Sequence, residues 1–410
     1  LYRQLVRLAI QLGVAKLGEL CIDGTRVLAN ASRFRTLTAE KVERLLAELD
    51  QQIARALKTL ETHDSLESLF EDGAEADQLP VELQDLKSRQ AQLHSVLTQL
   101  REMEQQRKHD GINPQKNPAQ LPVTDPDSRI LPNKEGGYAP NYTPMAVCET
   151  EHGFIVGADV RIGNVEHLVL TEMIDTVAGD FGETPAVVLG DAAYSTGPNL
   201  TALEERGIEL LSPLARGEQP DNPAQREDLT QPVAPEAVAH LPINPQTKCF
   251  DKQAFLYRED EDCYYCPAGQ RLTREVTEKV QRSGILIEMV SYRGRTCAGC
   301  PLGARCRKNP DAPRGRKVVR DQYEAIRRRH REHMEQPEVQ ARYHKRLHYG
   351  ETPFAVLKVL LDLRRFLLRG IAGVQQEWLW GCTAFNLRKL TGLWAGLRAK
   401  LNELTVAVVG

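Results

Sequence analysis

The spacing of hydrophobic residues changes several times along this chain, and each change marks a different predicted element. Residues 1–20 carry apolar side chains at the spacing of an amphipathic helix. Leu20, Cys21 and Ile22 then form an apolar run that leads into Asp23. We predict a strand, or a tight hairpin, that ends at this acidic residue.

Two long apolar stripes follow. Residues 38–61 predict one helix, and the stretch from Pro80 to about residue 100 predicts a second, with leucines at alternating spacings of three and four. Together they favour an antiparallel helical hairpin inserted over residues 37–110. Such a hairpin is either an arm for dimerisation or DNA contact, or an insertion that packs only on itself.

Beyond a polar loop over residues 104–137, strand-like and helical patterns alternate. Residues 142–148 and 154–160 predict two strands, and a helix near 165–178 precedes the buried apolar run Val187–Leu189. Asp191 follows that run, and Ser195, Thr196 and Gly197 offer N-cap chemistry for a helix reaching about residue 206. A last strand at 208–211 completes an α/β fold with a mixed sheet and flanking helices.

Charge is distributed unevenly along the 410 residues. The net charge is only −3, yet residues 291–370 hold 20 Lys and Arg against 8 Asp and Glu, a local excess of +12. A basic block of this size favours a polyanion such as DNA, although solvated helix faces would give the same count. No apolar run is long enough to span a membrane and no signal peptide is evident, so we expect a cytoplasmic, nucleoid-associated protein.

Five of the nine cysteines cluster. Cys263-x2-Cys266 is followed by Cys297-x2-Cys300, with Cys306 six residues further on. Two such pairs predict a structural Zn²⁺ site of the zinc-ribbon type, held by four of the five thiolates. Unmetallated packing cysteines are the alternative. A site closed by four thiolates leaves no position for water, so this metal would not be catalytic.

A third acidic residue lies in a distinctive setting near the C-terminus. Gly350 and Pro353 flank Glu351, and Thr352 precedes the proline. Because a residue before proline disfavours the α conformation, we predict a break or kink at Glu351 and a new helix from Pro353. The apolar face of that helix is predicted to comprise Phe354, Leu357, Leu361 and Leu368, and a further helix is predicted over residues 378–390.

With these motifs together, the chain resembles the DDE transposases of bacterial insertion sequences, which have a ribonuclease-H-like core. The resemblance rests on the segments IDGTRVLANAS, VVLGDAAYSTGPNLTALEERGI, CPAG, CAGCPLGARC and ETPFAVLK with the tail after it. It also includes part of the family's signature around the glutamate, namely Tyr343, Arg346, Glu351 and Lys358. The interval from Arg346 to Glu351 is one residue longer than in the shorter form of that signature.

The resemblance implies that Asp23, Asp191 and Glu351 are the catalytic triad and hold two Mg²⁺ or Mn²⁺ ions. Asp159 is the alternative candidate for a catalytic carboxylate. The resemblance also implies metal-dependent cleavage and strand transfer at insertion-sequence ends. Double-stranded DNA would be the partner, and a homodimer or higher synaptic complex would be the active form. The expected DNA contacts are Tyr343, Arg346, Lys358, Arg327, Arg328 and Arg329.

The resemblance and the patterns together predict five parts. These are the start of the catalytic core (1–36), the helical hairpin (37–110), the rest of the core sheet (111–214), a Pro- and Cys-rich insertion (215–315) and basic C-terminal helices (316–410). The family's N-terminal DNA-binding segment is expected to be missing ahead of Leu1. A truncated or decayed transposase that binds DNA without cutting it is therefore the alternative.

Overall fold

The chain divides into two compact units, Leu1–Gly190 with His344–Gly410, and Asp191–Tyr343. A computed structural model describes residues 1–62, 81–109, 113–133, 136–164, 166–214, 221–282, 285–310 and 312–409. Most of the predicted connector between the two hairpin helices lies outside these described residues. No helix in the described ranges is long and apolar enough to cross a membrane.

The first unit is built on a mixed β-sheet. Its strands are β1 (Glu19–Gly24), β2 (Val27–Leu28), β3 (Thr36–Leu37), β4 (Leu121–Pro122), β5 (Arg129–Pro132), β6 (Tyr138–Glu149), β7 (Ile155–Arg161) and β8 (Val187–Leu189). The long strand β6 pairs antiparallel with β1, β2, β5 and β7, and β1 pairs in parallel with β8. Strands β3 and β4 form a separate antiparallel pair. The predicted α/β class with a mixed sheet is confirmed.

In the described ranges, the helices of this unit before Asp191 are α1 (Tyr2–Gln11), α2 (Ala39–Thr62), α3 (Val81–His109) and α4 (Leu170–Phe181). The long helices α2 and α3 lie where the two apolar stripes predict them. Their buried faces share one hydrophobic cluster, formed mainly by Val42, Leu46, Leu49, Ile53, Leu83, Leu93, Leu97 and Leu100. Helix α4 begins later than predicted, because a single 3₁₀ turn occupies Glu166–Leu168.

The second unit contains a five-stranded antiparallel sheet. After helix α5 (Gly197–Glu205) and strand β9 (Glu209–Leu211), the sheet runs in chain order through β10 (Leu256–Arg258), β11 (Cys263–Tyr265), β12 (Arg271–Arg282), β13 (Ile285–Gly294) and β14 (Lys317–Asp321). Helices α6 (Gly303–Cys306), α7 (Glu324–Met334) and α8 (Pro337–Tyr343) complete it. Three tyrosines, Tyr257, Tyr264 and Tyr292, pack ring to ring on this sheet.

The C-terminal segment returns to the first unit through a π-helical turn at Leu347–Glu351, helix α9 (Thr352–Val359) and the long helix α10 (Gly370–Val409). Phe354 of α9 stacks on Trp378 of α10, whose indole Nε1 donates to the carbonyl of Met145 on β6 at 3.0 Å. The core of the first unit therefore combines residues from both ends of the chain.

One prediction for this segment was right in part, and two were wrong. The predicted break or kink takes the form of a π-helical turn that ends at Glu351. Both Glu351 and Thr352 keep right-handed helical dihedrals, and the next α-helix begins at Thr352. Helix α9 ends at Val359, and the left-handed Asp362 (φ 52°) redirects the chain; Leu361 and Leu368 are consequently exposed, unlike Phe354 and Leu357. Helix α10 is much longer than the predicted 378–390.

Candidate active site

Asp23 lies near the end of β1, in the interior of the sheet. Strand β1 has β6 on one side and β8 on the other, and Leu20, Cys21 and Ile22 before the aspartate are fully buried. Asp23 itself is 9% exposed, and its Oδ1 accepts the amide N–H of Gly24 at 2.8 Å. Burial, and after it the Asp23 charge, raises the pKa of the Cys21 thiol well above its usual range, so this thiol stays protonated.

The turn that carries Glu351 lies directly against Asp23. A Cβ atom built on Gly350 would stand 3.3 Å from Asp23 Oδ2 and 3.4 Å from Cys21 Sγ, closer than side chains normally approach. Arg346, at the start of the same turn, donates from Nη2 to Asp23 Oδ2 at 3.0 Å. Glu351 is exposed, and among the described residues its side chain has no hydrogen-bond or ion-pair partner.

The π-helical turn accounts for the extra residue between Arg346 and Glu351. A π turn inserts one residue into an α-helix and often occurs at functional sites. Here it spans Leu347–Glu351, so the five-residue interval fits without breaking the helical path into α9.

Asp191 is the first residue of the second unit and follows β8 by two positions. In the parallel pairing of β1 with β8, Leu189 lies opposite Cys21. Asp23 and Asp191 each come two residues after this pair. Within its own unit, Asp191 Oδ1 accepts the N–H of Ala193 at 2.9 Å.

Helix α5 begins as the sequence predicts. Thr196 is its N-cap and its side chain accepts the N–H of Asn199 at 3.4 Å. The glycine after the cap is required by packing, because a Cβ on Gly197 would stand 2.3 Å from the ring of Tyr323.

Lys358 holds the chain that leaves β1. Its Nζ donates to Thr25 Oγ1 at 2.6 Å and to the carbonyl of Arg26 at 2.8 Å. It therefore fixes the backbone immediately after Asp23. Tyr343, half-buried, is the last residue of α8 and of the second unit.

The three consecutive arginines of the basic block each form an ion pair with a carboxylate of their own unit. Arg327 pairs with Asp321 at 2.6 Å, Arg328 with Glu259 at 2.7 Å and Arg329 with Glu204 at 2.9 Å. Their local positive charge is consequently smaller than the residue count indicates. Arg328 and Arg329 remain substantially exposed, so phosphate could still compete for them.

Asp159, the alternative candidate for a catalytic carboxylate, has its own ion-pair and hydrogen-bond partners. It pairs with Arg161 at 2.7 Å and accepts a hydrogen bond from Gln375 Nε2 at 2.9 Å. These contacts attach β7 to α10 and give Asp159 a structural role.

Four of the five clustered cysteines lie together, and the fifth lies apart from them. Cys266, Cys297, Cys300 and Cys306 line a single cavity in the second unit. Cys263 packs instead with Leu229 and Tyr265, and its Sγ lies 3.8 Å from Glu261 Oε2. Burial raises the pKa of the Cys266 thiol, and the backbone N–H of Gln270, which donates to Cys266 Sγ at 3.3 Å, opposes this shift only in part.

The types of ligand atom suit the two predicted metals, but the side chains do not converge on a common point as metal ligands do. Carboxylate oxygens suit Mg²⁺, and thiolates suit Zn²⁺. Across the described ranges, however, no group of three or more His, Cys, Asp or Glu side chains is placed to hold a metal ion.

The sequence patterns did not predict one feature of the first unit, a cleft lined by arginines. Arg33, Phe34 and Arg35 lie in the loop between β2 and β3 and line a cleft with Arg365 and Arg369. The signal was present as a basic–aromatic–basic run in the sequence, outside the basic block.

Comparison with known proteins gives one family match. No curated protein matches the chain. Residues 265–391 match a family model described as a transposase DDE domain. This segment, less than half of the chain, includes Arg346, Glu351, Lys358 and the four cysteines of the cavity, and it leaves out Asp23 and Asp191. The match supports a transposase-type function, and it confirms the resemblance of this chain to the DDE transposases.

Proposed function

We propose that this protein is a metal-dependent transposase that cleaves DNA strands at the ends of an insertion sequence and joins them to target DNA. The observation that carries the proposal is the close approach of Gly350, the residue before Glu351, to Asp23. It brings the turn that carries Glu351 to Asp23, although 328 residues separate the two acidic residues in sequence. This turn lies inside the segment that matches the transposase DDE domain. The ribonuclease-H-like assignment of the sheet is part of the same proposal.

The triad of the proposal is Asp23, Asp191 and Glu351. The register of β1 with β8 supports the inclusion of Asp191, since both aspartates follow the Cys21–Leu189 pair by the same two residues. Asp23 would be the ligand shared by two divalent cations, with Asp191 and Glu351 each completing one. Bound Mg²⁺ or Mn²⁺ would supply an activated oxygen nucleophile and stabilise the leaving oxygen of the phosphodiester.

The neighbouring cations have positioning roles in this proposal. Arg346 donates to Asp23 and offsets part of the charge of this nearly buried carboxylate. Lys358 holds the backbone at Thr25 and Arg26 and so fixes where β1 ends. Tyr343 and the exposed Arg328 and Arg329 remain the proposed contacts to duplex DNA, in a homodimer or larger synaptic complex.

Cleavage of supercoiled plasmid tests the activity. We expect nicked product with Mg²⁺ or Mn²⁺, and none with EDTA or with Ca²⁺ alone, because Ca²⁺ accepts looser geometry than the reaction requires. Salt-sensitive DNA binding without any nicking under these conditions would instead support the alternative of a decayed transposase that binds and does not cut.

We also propose that Cys266, Cys297, Cys300 and Cys306 hold a structural Zn²⁺, and that Cys263 does not. The four thiols line one cavity between β12, β13 and α6, whereas Cys263 packs against Leu229 and Tyr265. Binding requires the four side chains to turn towards a common point, since they are not gathered as ligands in the structure.

Metal analysis of purified, reduced protein tests this assignment. We expect about one equivalent of Zn²⁺ in the wild type, from the stoichiometry of a four-thiolate site. Cys300→Ser should lose most of the zinc and melt at a lower temperature, because metal binding and folding are coupled. Cys263→Ser is the matched control and should keep the metal. Equal zinc content in both variants, or none in the wild type, would refute the proposal.

A further inference from the structure

A cleft in the first unit has a lining that the proposed cleavage chemistry does not use. It lies beside β2 and contains about 950 Å³ of empty space, part of it open to solvent. Backbone from β2 and from the strand β6 forms its base, and its side chains include Arg33, Phe34, Arg35, Arg365 and Arg369.

The charge of this cleft is positive, and Asp125, outside the lining, interacts electrostatically with one of its arginines, Arg369. No Asp or Glu side chain lines it. Within the part of the chain that the structure describes, none of the four arginines forms an ion pair with a carboxylate. Arg369 donates only to the backbone carbonyl of Asn30, at 3.1 Å. Four guanidinium groups around one cleft, none of them in an ion pair at contact distance, are a binding surface for phosphates, because arginine recognises phosphate oxygens with two parallel hydrogen bonds.

Phe34 provides a second, independent feature. Its ring is 83% exposed and contributes nothing to the core, and the guanidinium of Arg33 lies 4.8 Å from the ring centroid. A large apolar ring at the edge of a basic cleft is a platform on which a nucleic-acid base can stack. Because every base has a π face, this contact requires an unpaired base and tolerates any sequence.

The cleft is built from the same framework as Asp23. The chain leaves β1 through Thr25 and Arg26, both held by Lys358, and enters β2, where Leu28 bridges to Arg365. Asn30 Nδ2 then donates to the carbonyl of Leu367 at 2.7 Å. Only a short, fixed stretch of backbone therefore separates the predicted catalytic aspartate from the cleft.

We propose that this cleft binds the unpaired end of a DNA strand, with its phosphates on the arginines and one base stacked on Phe34. The choice of DNA rests on the proposed function, whereas the choice of an unpaired strand rests on the exposed ring. The cleft thus distinguishes a frayed or single-stranded end from continuous duplex next to the site of cleavage.

Binding measured in EDTA separates this proposal from the cleavage activity. Fluorescence anisotropy would compare a labelled duplex that has a six-nucleotide single-stranded overhang with a blunt duplex of the same paired length. The wild type should favour the overhang. Phe34→Ala should lower affinity for the overhang about fivefold or more, the range for loss of one stacked base, and leave blunt duplex unaffected. Phe34→Trp should restore the preference.

Arginine variants test the phosphate contacts. Arg33→Ala with Arg365→Ala should lower the slope of log K against log salt for the overhang by about 1.4, since each lost contact to a single strand accounts for about 0.7. Tyr138→Ala and Arg388→Ala, an exposed aromatic residue and an exposed arginine outside the cleft, are the matched controls. Melting curves would verify that each variant folds.

Two results would overturn the proposal. If Phe34→Ala keeps the wild-type preference for the overhang, the ring is not a stacking platform. If the double arginine variant keeps the wild-type salt dependence, the cleft does not bind phosphates. Either result is independent of nicking, so an inactive but overhang-binding protein would contradict the cleavage proposal and leave this one standing.

Discussion

Arg346 donates a hydrogen bond from Nη2 to Asp23 Oδ2 at 3.0 Å, and both side chains are largely buried. One residue earlier, Lys345 makes a similar pair with Glu19 of the same strand at 3.1 Å, but the lysine is half-exposed. The two pairs connect the same segments and differ mainly in burial. The contribution of a buried ion pair to stability can therefore be compared with that of a more exposed one.

Arg346→Ala should destabilise the first unit by about 1–3 kcal/mol, because it removes a charge-assisted hydrogen bond from a nearly buried carboxylate. Lys345→Ala should cost less than about 1 kcal/mol, since water screens an exposed pair. Urea denaturation of both variants measures the difference. An equal loss of stability in the two would mean that burial does not strengthen the Arg346–Asp23 pair.

Gly350→Ala should reduce cleavage more than stability. The added methyl would contact Asp23 Oδ2 at 3.3 Å and Cys21 Sγ at 3.4 Å, so the Asp23 side chain or the turn that carries Glu351 must give by a few tenths of an ångström. We expect at least a tenfold loss of the nicking rate, since misplacement by about 1 Å can cost a hundredfold.

Gly392→Ala is the control for this variant. Gly392 lies in α10 with nothing within 4 Å of its Cβ position, so alanine should leave activity unchanged and stabilise the helix by about 0.5–1 kcal/mol. Wild-type nicking by Gly350→Ala would show that the turn tolerates a side chain and that its contact with Asp23 is not part of the chemistry.

Helix α10 is fastened to β7 by Asn386. This fully buried side chain accepts the N–H of Ile155 at 2.9 Å and donates to its carbonyl at 2.7 Å. Asn386→Leu should cost about 1–3 kcal/mol, because it leaves the Ile155 amide buried without a partner, while Tyr2 still donates to the carbonyl. Denaturation with Gln375→Ala as control, expected within about 1 kcal/mol of wild type, measures this. A neutral Asn386→Leu would contradict the assignment.

The second unit should lose stability in mild acid. His330 is buried against the carbonyl of Ser212 at 2.7 Å, and burial lowers its pKa below the usual range. The unfolded chain therefore binds a proton at higher pH than the folded one, so stability falls as the pH drops below about 6.5.

Thermal melts between pH 7.5 and 5.5 measure this effect. His330→Gln keeps a side-chain donor but does not titrate, so its melting temperature should vary less with pH than that of the wild type. Parallel pH profiles for the two proteins would show that His330 is not the group responsible.

Local patterns were sufficient to predict part of this structure. The apolar run before Asp23, the N-cap at Thr196 and the stripes of α2 and α3 depend on neighbours within a few residues, and the structure has each of them. The Arg346–Asp23 pair joins residues 323 positions apart, and no local pattern encodes it. The separation of Cys263 from the other four clustered cysteines likewise depends on its packing against Leu229 and Tyr265, which cysteine spacing does not reveal.

The most direct test of the account is cleavage and DNA binding measured side by side for Asp23→Asn, Asp191→Asn and Glu351→Gln. Each change keeps the shape of the side chain and removes the charge that would hold a cation. We predict that each abolishes Mg²⁺- or Mn²⁺-dependent nicking while DNA affinity stays at or slightly above the wild-type value, because a negative charge near the phosphates is gone. Asp159→Asn should still cleave. Nicking at the wild-type rate by any one of the three variants would contradict the proposed triad.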